Sequence, residues 1–379
     1  MESSRGLRVV LCAPGFPASV DDPDKPFLFD HATALVDAGL QVSVVCPGTP
    51  GRPARQTLGG IEIFRVRYAP RRLETLAATG AMYREARGLK AFLAVPMIIS
   101  MFVATIRELR KGPTVAYGHW WIPGGLVAVF AARLWRRPSI VHLHGSDATI
   151  TEAPAMRKLA QLVLRMASER LAASETLAEW GRDLCSRNVR VLPMPLVFDR
   201  LPTPSPVPAD GFVLGVGRLV PEKGFDVLIA ALGRLAATER PELVVVGVGV
   251  DRHALAEQAA KAEVKLHLPG AVAPAELADW YRRARIVAVP SRREGFGLVA
   301  AEAAAAGRAV VGSAVGGIPV VVESGVSGLL VEPGDVDALA KALINVDPKW
   351  GVNGPRLVSH LGAKPHGDFV RDLCEKLLA

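Results

Sequence analysis

Two glutamates eight residues apart, Glu294 and Glu302, stand in the stretch SRREGFGLVAAEAAAAGRAVV (Ser291 to Val311). Between Leu298 and Ala306 the one polar side chain is Glu302. A helix that is apolar all round is normally buried, and a buried carboxylate must be paired or hydrogen-bonded. Just before it, Glu294–Gly295–Phe296–Gly297 reads as a strand-to-helix turn whose glycines let backbone N–H groups approach a ligand. A helix from about Leu298 aims its positive end at that turn, which suits a diphosphate. Ionised carboxylates only accept hydrogen bonds, so the natural uncharged partners of Glu294 and Glu302 are sugar hydroxyl pairs rather than phosphate or metal.

A second group lies upstream in GRLVPEKG (Gly217 to Gly224). Arg218 ends a strand and Lys223 precedes a helix, a combination competent to clamp phosphate. Taken alone, the pair reads better as solvated surface charge. Together with the glycine turn and the two carboxylates it describes a site for a sugar nucleotide. Neither G-x-G (Gly215/Gly217, Gly247/Gly249) extends to G-x-G-x-x-G, because Val220 and Arg252 occupy the third positions, and no G-x-x-x-x-G-K-[ST] is present. His142 and His144 alternate on a strand and share a face, but no third ligand stands at zinc-like spacing, so no metal is expected. Asp335–Val336–Asp337 follows Pro–Gly and reads as a helix N-cap. Asp21, Asp22 and Asp24 read as a solvated loop, with contact to an acceptor, amine-bearing ones included, as the alternative for Asp22 and Asp24. Trp120 and Trp121 read as core packing, with stacking on a sugar as the alternative.

These residues need elements to position them. Short Val/Ile/Leu strands alternate with helical spacing through LRVVLCAPG, PFLFDHATALVDAG, QVSVVCP, TVAYGH and SIVHLHG, which argues a parallel sheet covered on both faces. Prolines 202, 204, 206 and 208 interrupt the rhythm, and it restarts at FVLGVGRLV. The expected organisation is an N-terminal Rossmann-like domain over 1–199, a proline-rich linker over 200–210, and a second Rossmann-like domain over 211–350. A tail over 351–379 is expected to pack back near the first domain. The chain has 379 residues, long enough for two or three domains, and 45 basic against 37 acidic residues give a net charge of +8. That balance favours anionic partners, yet the basic residues are scattered and form no nucleic-acid module, so nucleic acid is not an expected partner. Four cysteines without a CxxC pair and an N-terminal apolar run too short for a signal peptide fit a reducing cytoplasm. AFLAVPMIISMFVATI (Ala91 to Ile106) is too short to span a bilayer and carries Pro96. It reads as a core helix, with peripheral membrane contact through the basic flanks of 84–111 as the alternative.

GRLVPEKGFDVLIAAL, LVVVGVG, LPGAV and the run from ADWYRRARIVAVPS through VEPGDVDALAKAL resemble the nucleotide-sugar domain of GT-B, family 4 retaining glycosyltransferases. LRVVLCAPGFP, LVDAGLQVSVVCP, HWWIPGG, HLHGSD and VRVLP resemble the first half of the same family. The resemblance covers nearly the whole chain and is weakest after about Asp347. It implies two doubly wound domains facing a cleft, and transfer of a hexosyl unit with retention, without metal or other cofactor. The donor it implies is a nucleotide diphosphate sugar, UDP-linked first and GDP-linked second. Arg218 and Lys223 are implied to hold the diphosphate, and Glu294 the transferred sugar. The backbone of Gly295, Phe296, Gly297 and Leu298 is implied around sugar and phosphate. Glu302 is implied on the ribose, Gly217 beside the diphosphate, Leu268, Pro269 and Gly270 at the base, and Gly15 at the phosphate from the first domain. His144 is implied near the reacting sugar, oriented by Asp147, which with Asp22, Asp24 and Trp120 makes the expected acceptor set. The expected acceptor is a hydroxyl of a saccharide or lipid-linked glycan in bacterial cell-surface assembly, with an aminocyclitol-type natural product as runner-up. A non-catalytic sugar-nucleotide-binding protein is the alternative from another class.

Overall fold

A computed structural model describes residues 6–76 and 92–379. The chain divides into two compact units, Met1–Pro195 with Ala363–Ala379, and Leu196–Gly362.

In the first unit the apolar runs form β1 (Arg8–Cys12), β2 (Gln41–Pro47), β3 (Arg55–Leu58), β4 (Ile61–Val66), β5 (Thr114–His119), β6 (Ser139–Leu143), β7 (Glu169–Ala172) and β8 (Arg190–Val191). They make one sheet in the order β3-β4-β2-β1-β5-β6-β7-β8. The order reverses at β1, so the loops after β1 and β5 open at the carboxyl edge of the sheet's switch point, where open α/β sheets bind ligands. The sheet is parallel, as expected, except at one edge. β3 pairs antiparallel to β4 through the Gly59–Gly60 turn, both glycines having positive φ, and gives the sheet a hairpin edge. Val10, Cys12, Met97, Met101, Val127 and Ala131 pack one face of the sheet.

The helix Ala94–Leu109 supplies Met97 and Met101 to that core, while Val95, Ile99 and Val103 on its other face are exposed. Among the described residues no helix is long and apolar enough to cross a membrane. The basic flank at Arg84, Arg87 and Lys90, with the arginines of YREARG, lies outside the described residues.

The final helix, Ala363–Leu378, belongs to this unit although the chain reaches it last. It lies against the helix Pro26–Asp37, so close at Gly367 that a Cβ there would meet Ala34 O at 2.2 Å.

The second unit carries β9 (Phe212–Val216), β10 (Leu243–Val246), β11 (Leu266–Gly270), β12 (Ala284–Val289), β13 (Ala309–Ser313) and β14 (Gly328–Val331). Every pairing is parallel, in the order β11-β10-β9-β12-β13-β14. The reversal falls between β9 and β12. Leu228, Leu232, Val245, Val311 and Leu339 are among the side chains filling the core.

The unit boundaries differ from those expected. The second unit begins at Leu196, not after a separate linker over 200–210, and it includes 351–362. The proline-rich segment is held by Arg308, fully buried and, among the described residues, without a carboxylate partner. Its guanidinium donates to the carbonyls of Tyr281, Ser205 and Arg282 and to Ser205 Oγ, fastening the proline-rich segment to the domain. Asp335 caps the helix Val336–Asn345 through Ala338 N at 2.9 Å, as its position after Pro–Gly suggests.

Candidate functional site

The switch point of the second sheet brings the two motifs together. Gly217, Arg218 and Lys223 follow β9, and Ser291 to Glu294 follow β12, the neighbouring strand. Lys223 Nζ donates to Glu294 Oε2 at 2.7 Å. Ser291 Oγ donates to the same oxygen at 3.1 Å, and the backbone N of Gly295 donates to Glu294 Oε1 at 3.1 Å. The carboxylate is therefore fixed from three sides. Arg218 is exposed on the same strand-end turn.

Close backbone approach explains the glycines of this edge. Gly224 has φ +68°, and a Cβ there would lie 2.0 Å from Pro290 O. Gly316 has φ +61°, and a Cβ there would lie 2.2 Å from Glu294 O, so the Ala314–Gly317 turn backs the glutamate directly. Gly297, at φ +92°, opens the helix Leu298–Ala305, whose five alanines are buried.

Arg292, a residue the sequence reading passed over, ties the two turns. It makes a bidentate pair with Asp226 at 2.7 and 2.6 Å, donates to Pro221 O at 2.8 Å, and its backbone N donates to Glu222 O at 2.9 Å. Both partners titrate accordingly: the hydrogen bonds from Arg292 hold the Asp226 carboxyl below its usual range, and those to Asp226 raise the Arg292 guanidinium.

Glu302 has a partner that the sequence did not disclose. Tyr281, fully buried on the helix Pro274–Arg283, donates its hydroxyl to Glu302 Oε2 at 2.7 Å. Burial, with the adjacent carboxylate, raises the Tyr281 phenol well above its ordinary value, so it stays a donor. Leu268, Pro269 and Gly270 end β11, half-buried. Leu268 O accepts from Arg252 at 2.8 Å, and Gly270 O accepts from Gly247 N at 2.8 Å.

In the first unit the carboxyl edge of the sheet carries Gly15, buried after β1, His119 at the end of β5, Trp120 just after it, and His144 after β6. A Cβ on Gly15 would touch Lys25 Nζ at 3.1 Å. Asp22 and Asp24 are not a free acidic loop. Asp22 accepts from Ala18 N at 2.8 Å and pairs with Arg52 at 2.9 Å, and Asp24 pairs with Lys25 at 2.6 Å.

Two further expectations are corrected here. Asp147 does not orient the His144 ring. Its oxygens accept from the backbone N of His144 at 2.7 Å and of Trp121 at 3.1 Å, and it is fully buried, which removes it from the acceptor set. Burial raises its carboxyl to about 8 against those two bonds. The His144 ring is held by His119, whose Nδ1 lies 3.0 Å from His144 Nε2. Burial lowers His144 to about 3, so at neutral pH it is an uncharged hydrogen-bonding group. Trp120, at φ +58°, is half-buried, donates to Ser146 Oγ at 2.9 Å and lies 4.5 Å from the His144 ring, whereas Trp121 is in the core.

Strand register supplies the third histidine absent from the spacing argument, because His119 on β5 pairs with His142 on β6. Candidate ligand atoms of His119, His142 and His144 lie within 4.8 Å of one another. Both nitrogens of His142 are already engaged, by Tyr117 Oη at 2.8 Å and Leu192 O at 2.8 Å. His31 and His366 extend the group, 2.7 Å apart. Burial is the leading cause that keeps His31, His119 and His142 well below their ordinary value and His366 at about 4.

Comparison with known proteins bears on this arrangement. Residues 27–196 match the model described as "Glycosyl transferase 4-like domain", and residues 204–346 match "Glycosyl transferases group 1". The chain is 35% identical over 267 residues to a D-inositol 3-phosphate glycosyltransferase of Xylanimonas cellulosilytica, covering 60% of this chain and 62% of that one. It is 32% identical over 288 residues to D-inositol 3-phosphate glycosyltransferase 1 of Catenulispora acidiphila, covering 66% and 68%. The chain thus spans about six tenths of the length of the first such relatives. Sucrose-phosphate synthase of Thermosynechococcus elongatus shares the fold, with TM-score 0.78, 20% identity, and 98% and 99% of the two chains covered. Anabaena HepE in complex with UDP-glucose does so with TM-score 0.74, 19% identity, and 97% and 99% covered.

Proposed function

The chain belongs to the group 1 glycosyltransferases of the GT-B fold, and on that footing we propose that it transfers a hexosyl unit from a UDP-sugar to an acceptor hydroxyl, with retention and without a metal ion. The observation that carries the reading is the meeting of Lys223 and Glu294 at the β9/β12 switch point, where Arg218 stands on the same turn as Lys223. In that reading Lys223 and Arg218 stabilise the charge that grows on the leaving diphosphate, the largest electrostatic demand of the step. The C1–oxygen bond to the terminal phosphate breaks and the acceptor oxygen bonds to C1. The acceptor's proton passes to the departing phosphate, so no enzymic base is needed, and attack on C1 from the face that the phosphate leaves keeps the configuration without an enzymic nucleophile. Glu294 accepts from the sugar hydroxyls and Glu302, held by Tyr281, from the ribose. His144, neutral at pH 7, orients sugar or acceptor by hydrogen bonding rather than by charge.

For the acceptor, the engagement of Asp22 and Asp24 with Arg52 and Lys25 leaves little to recruit an amine, which weighs against an aminocyclitol. A phosphorylated cyclitol is supported by the names of the relatives and stands beside a cell-surface glycan as the second reading. UDP-glucose, UDP-N-acetylglucosamine and GDP-mannose, each offered with inositol phosphate, inositol and a lipid-linked saccharide in chelator, test the proposal by nucleotide release. Acceptor-dependent release of UDP, with the anomeric configuration of the donor kept in the product, is expected. No release from any combination by folded protein would refute it.

A further inference from the structure

Lys223 and Glu294 are assigned above to different parts of the donor, the diphosphate and the sugar. In the structure they are bonded to each other at 2.7 Å, with side chains 22% and 14% exposed. A phosphate that recruits Lys223 must draw on the same ammonium that neutralises Glu294. The carboxylate cannot swing away to other company, because Ser291 Oγ and Gly295 N hold both of its oxygens in place.

We propose that the Lys223–Glu294 pair discriminates the sugar-bearing donor from the sugar-free nucleotide, and so promotes release of the product; this rests on the donor site proposed above. When the intact donor binds, sugar hydroxyls replace the ammonium at Glu294, and both carboxylate and diphosphate are satisfied. After transfer the sugar has left on the acceptor oxygen. The terminal phosphate has gained the electron pair of the broken C1–oxygen bond together with the acceptor's proton, and above the second phosphate pKa of about 6 it gives that proton to solvent and carries an additional negative charge. The product then holds Lys223 but offers Glu294 no donor in return. A half-buried carboxylate facing a phosphate with its counter-ion drawn away is destabilising. Departure of the nucleotide restores the ion pair. A residue that binds the substrate's sugar thus weakens binding of the nucleotide product.

The sign of this effect is its test. UDP is titrated calorimetrically into wild-type protein, Glu294→Gln and Glu294→Ala, each shown to be folded by its thermal transition. Glu294→Gln is expected to bind UDP about three- to tenfold tighter than wild type, as expected for removing one opposing charge in a partly screened site. Its inhibition constant for UDP should fall in step while turnover drops, because the hydroxyl contacts are weakened. Glu294→Ala, which removes the carboxylate outright, should also tighten UDP and serves alone if the glutamine variant does not fold. UDP binding unchanged or weaker in the folded variants would overturn the inference. Wild-type protein that binds no nucleotide would instead overturn the donor site on which it rests.

Discussion

Lowering the pH from 7 to 5 is predicted to remove most of the stability of the unit formed by Met1–Pro195 and Ala363–Ala379. That unit buries five histidines: His31, His119, His142, His144 and His366. Burial keeps all five below their ordinary value, with His144 near 3 and His366 near 4. A histidine held neutral in the folded state takes up its proton only on unfolding. The unfolded state therefore binds more protons, stability rises with pH, and the loss sets in as pH falls below the unfolded value of about 6.5. It continues toward the folded values, about 3 for His144 and about 4 for His366. Between pH 7 and 5 a histidine kept neutral throughout costs about 2 kcal/mol, so five cost up to about 10 kcal/mol. Asp147 acts the other way. Its folded value is raised to about 8, so the folded state holds the extra proton and is favoured by acid, offsetting about 3 kcal/mol over the same interval. Tyr117 and Cys374, which also face the cluster, are raised above this range and stay neutral throughout. The net loss, up to about 7 kcal/mol, is comparable with the whole stability of an ordinary domain, about 5–15 kcal/mol. Urea unfolding followed by tryptophan fluorescence at pH 7, 6 and 5 measures it, since Trp120, Trp121, Trp135 and Trp180 report on this unit. A change under about 2 kcal/mol, or a gain of stability at pH 5, would refute the reasoning.

Two substitutions probe the second unit. Gly316→Ala places a Cβ against Glu294 O at a positive φ. It should cost about 1–3 kcal/mol by thermal or urea unfolding, with donor turnover falling further as the Glu294 turn shifts; unaltered stability and turnover would contradict the packing described. Tyr281→Phe removes the donor to Glu302 Oε2. It should lower stability by about 1 kcal/mol and weaken nucleotide binding several-fold by calorimetry, whereas unchanged binding would separate Tyr281 from the ribose contact.

What the sequence revealed was local, and what it hid was distant. The Glu294-to-Glu302 spacing, the glycine turn and the strand ending before Arg218 are properties of a few consecutive residues, and the structure places Glu294 against Lys223 in the turn that opens the helix bearing Glu302. The switch point follows from strand order, which the alternation of elements suggests but does not number. Tyr281 beneath Glu302 and Arg292 on Asp226 are ordinary residues in the sequence and acquire roles from contacts 21 and 66 positions away. The histidine cluster needed register, which sets His119 beside His142, and a chain return that brings His366 to His31 across 335 positions. Asp147 was misjudged for a related reason. Proximity in HGSD suggested the His144 ring, but the short helix it begins turns the carboxylate toward two backbone N–H groups. The domain boundary was missed because the prolines mark an extended segment without showing that Arg308 fastens it.

The central claim, that the β9/β12 switch point binds the diphosphate of a sugar nucleotide, is tested most directly by calorimetric titration of UDP, GDP and ADP in chelator. Wild-type protein and a Lys223→Ala variant with an intact thermal transition are compared. One nucleotide, UDP on this account, should bind wild type without metal, and lose about tenfold or more in the variant through the missing charge-assisted contact. Equal binding by the variant, or no binding to folded wild-type protein, would contradict the account.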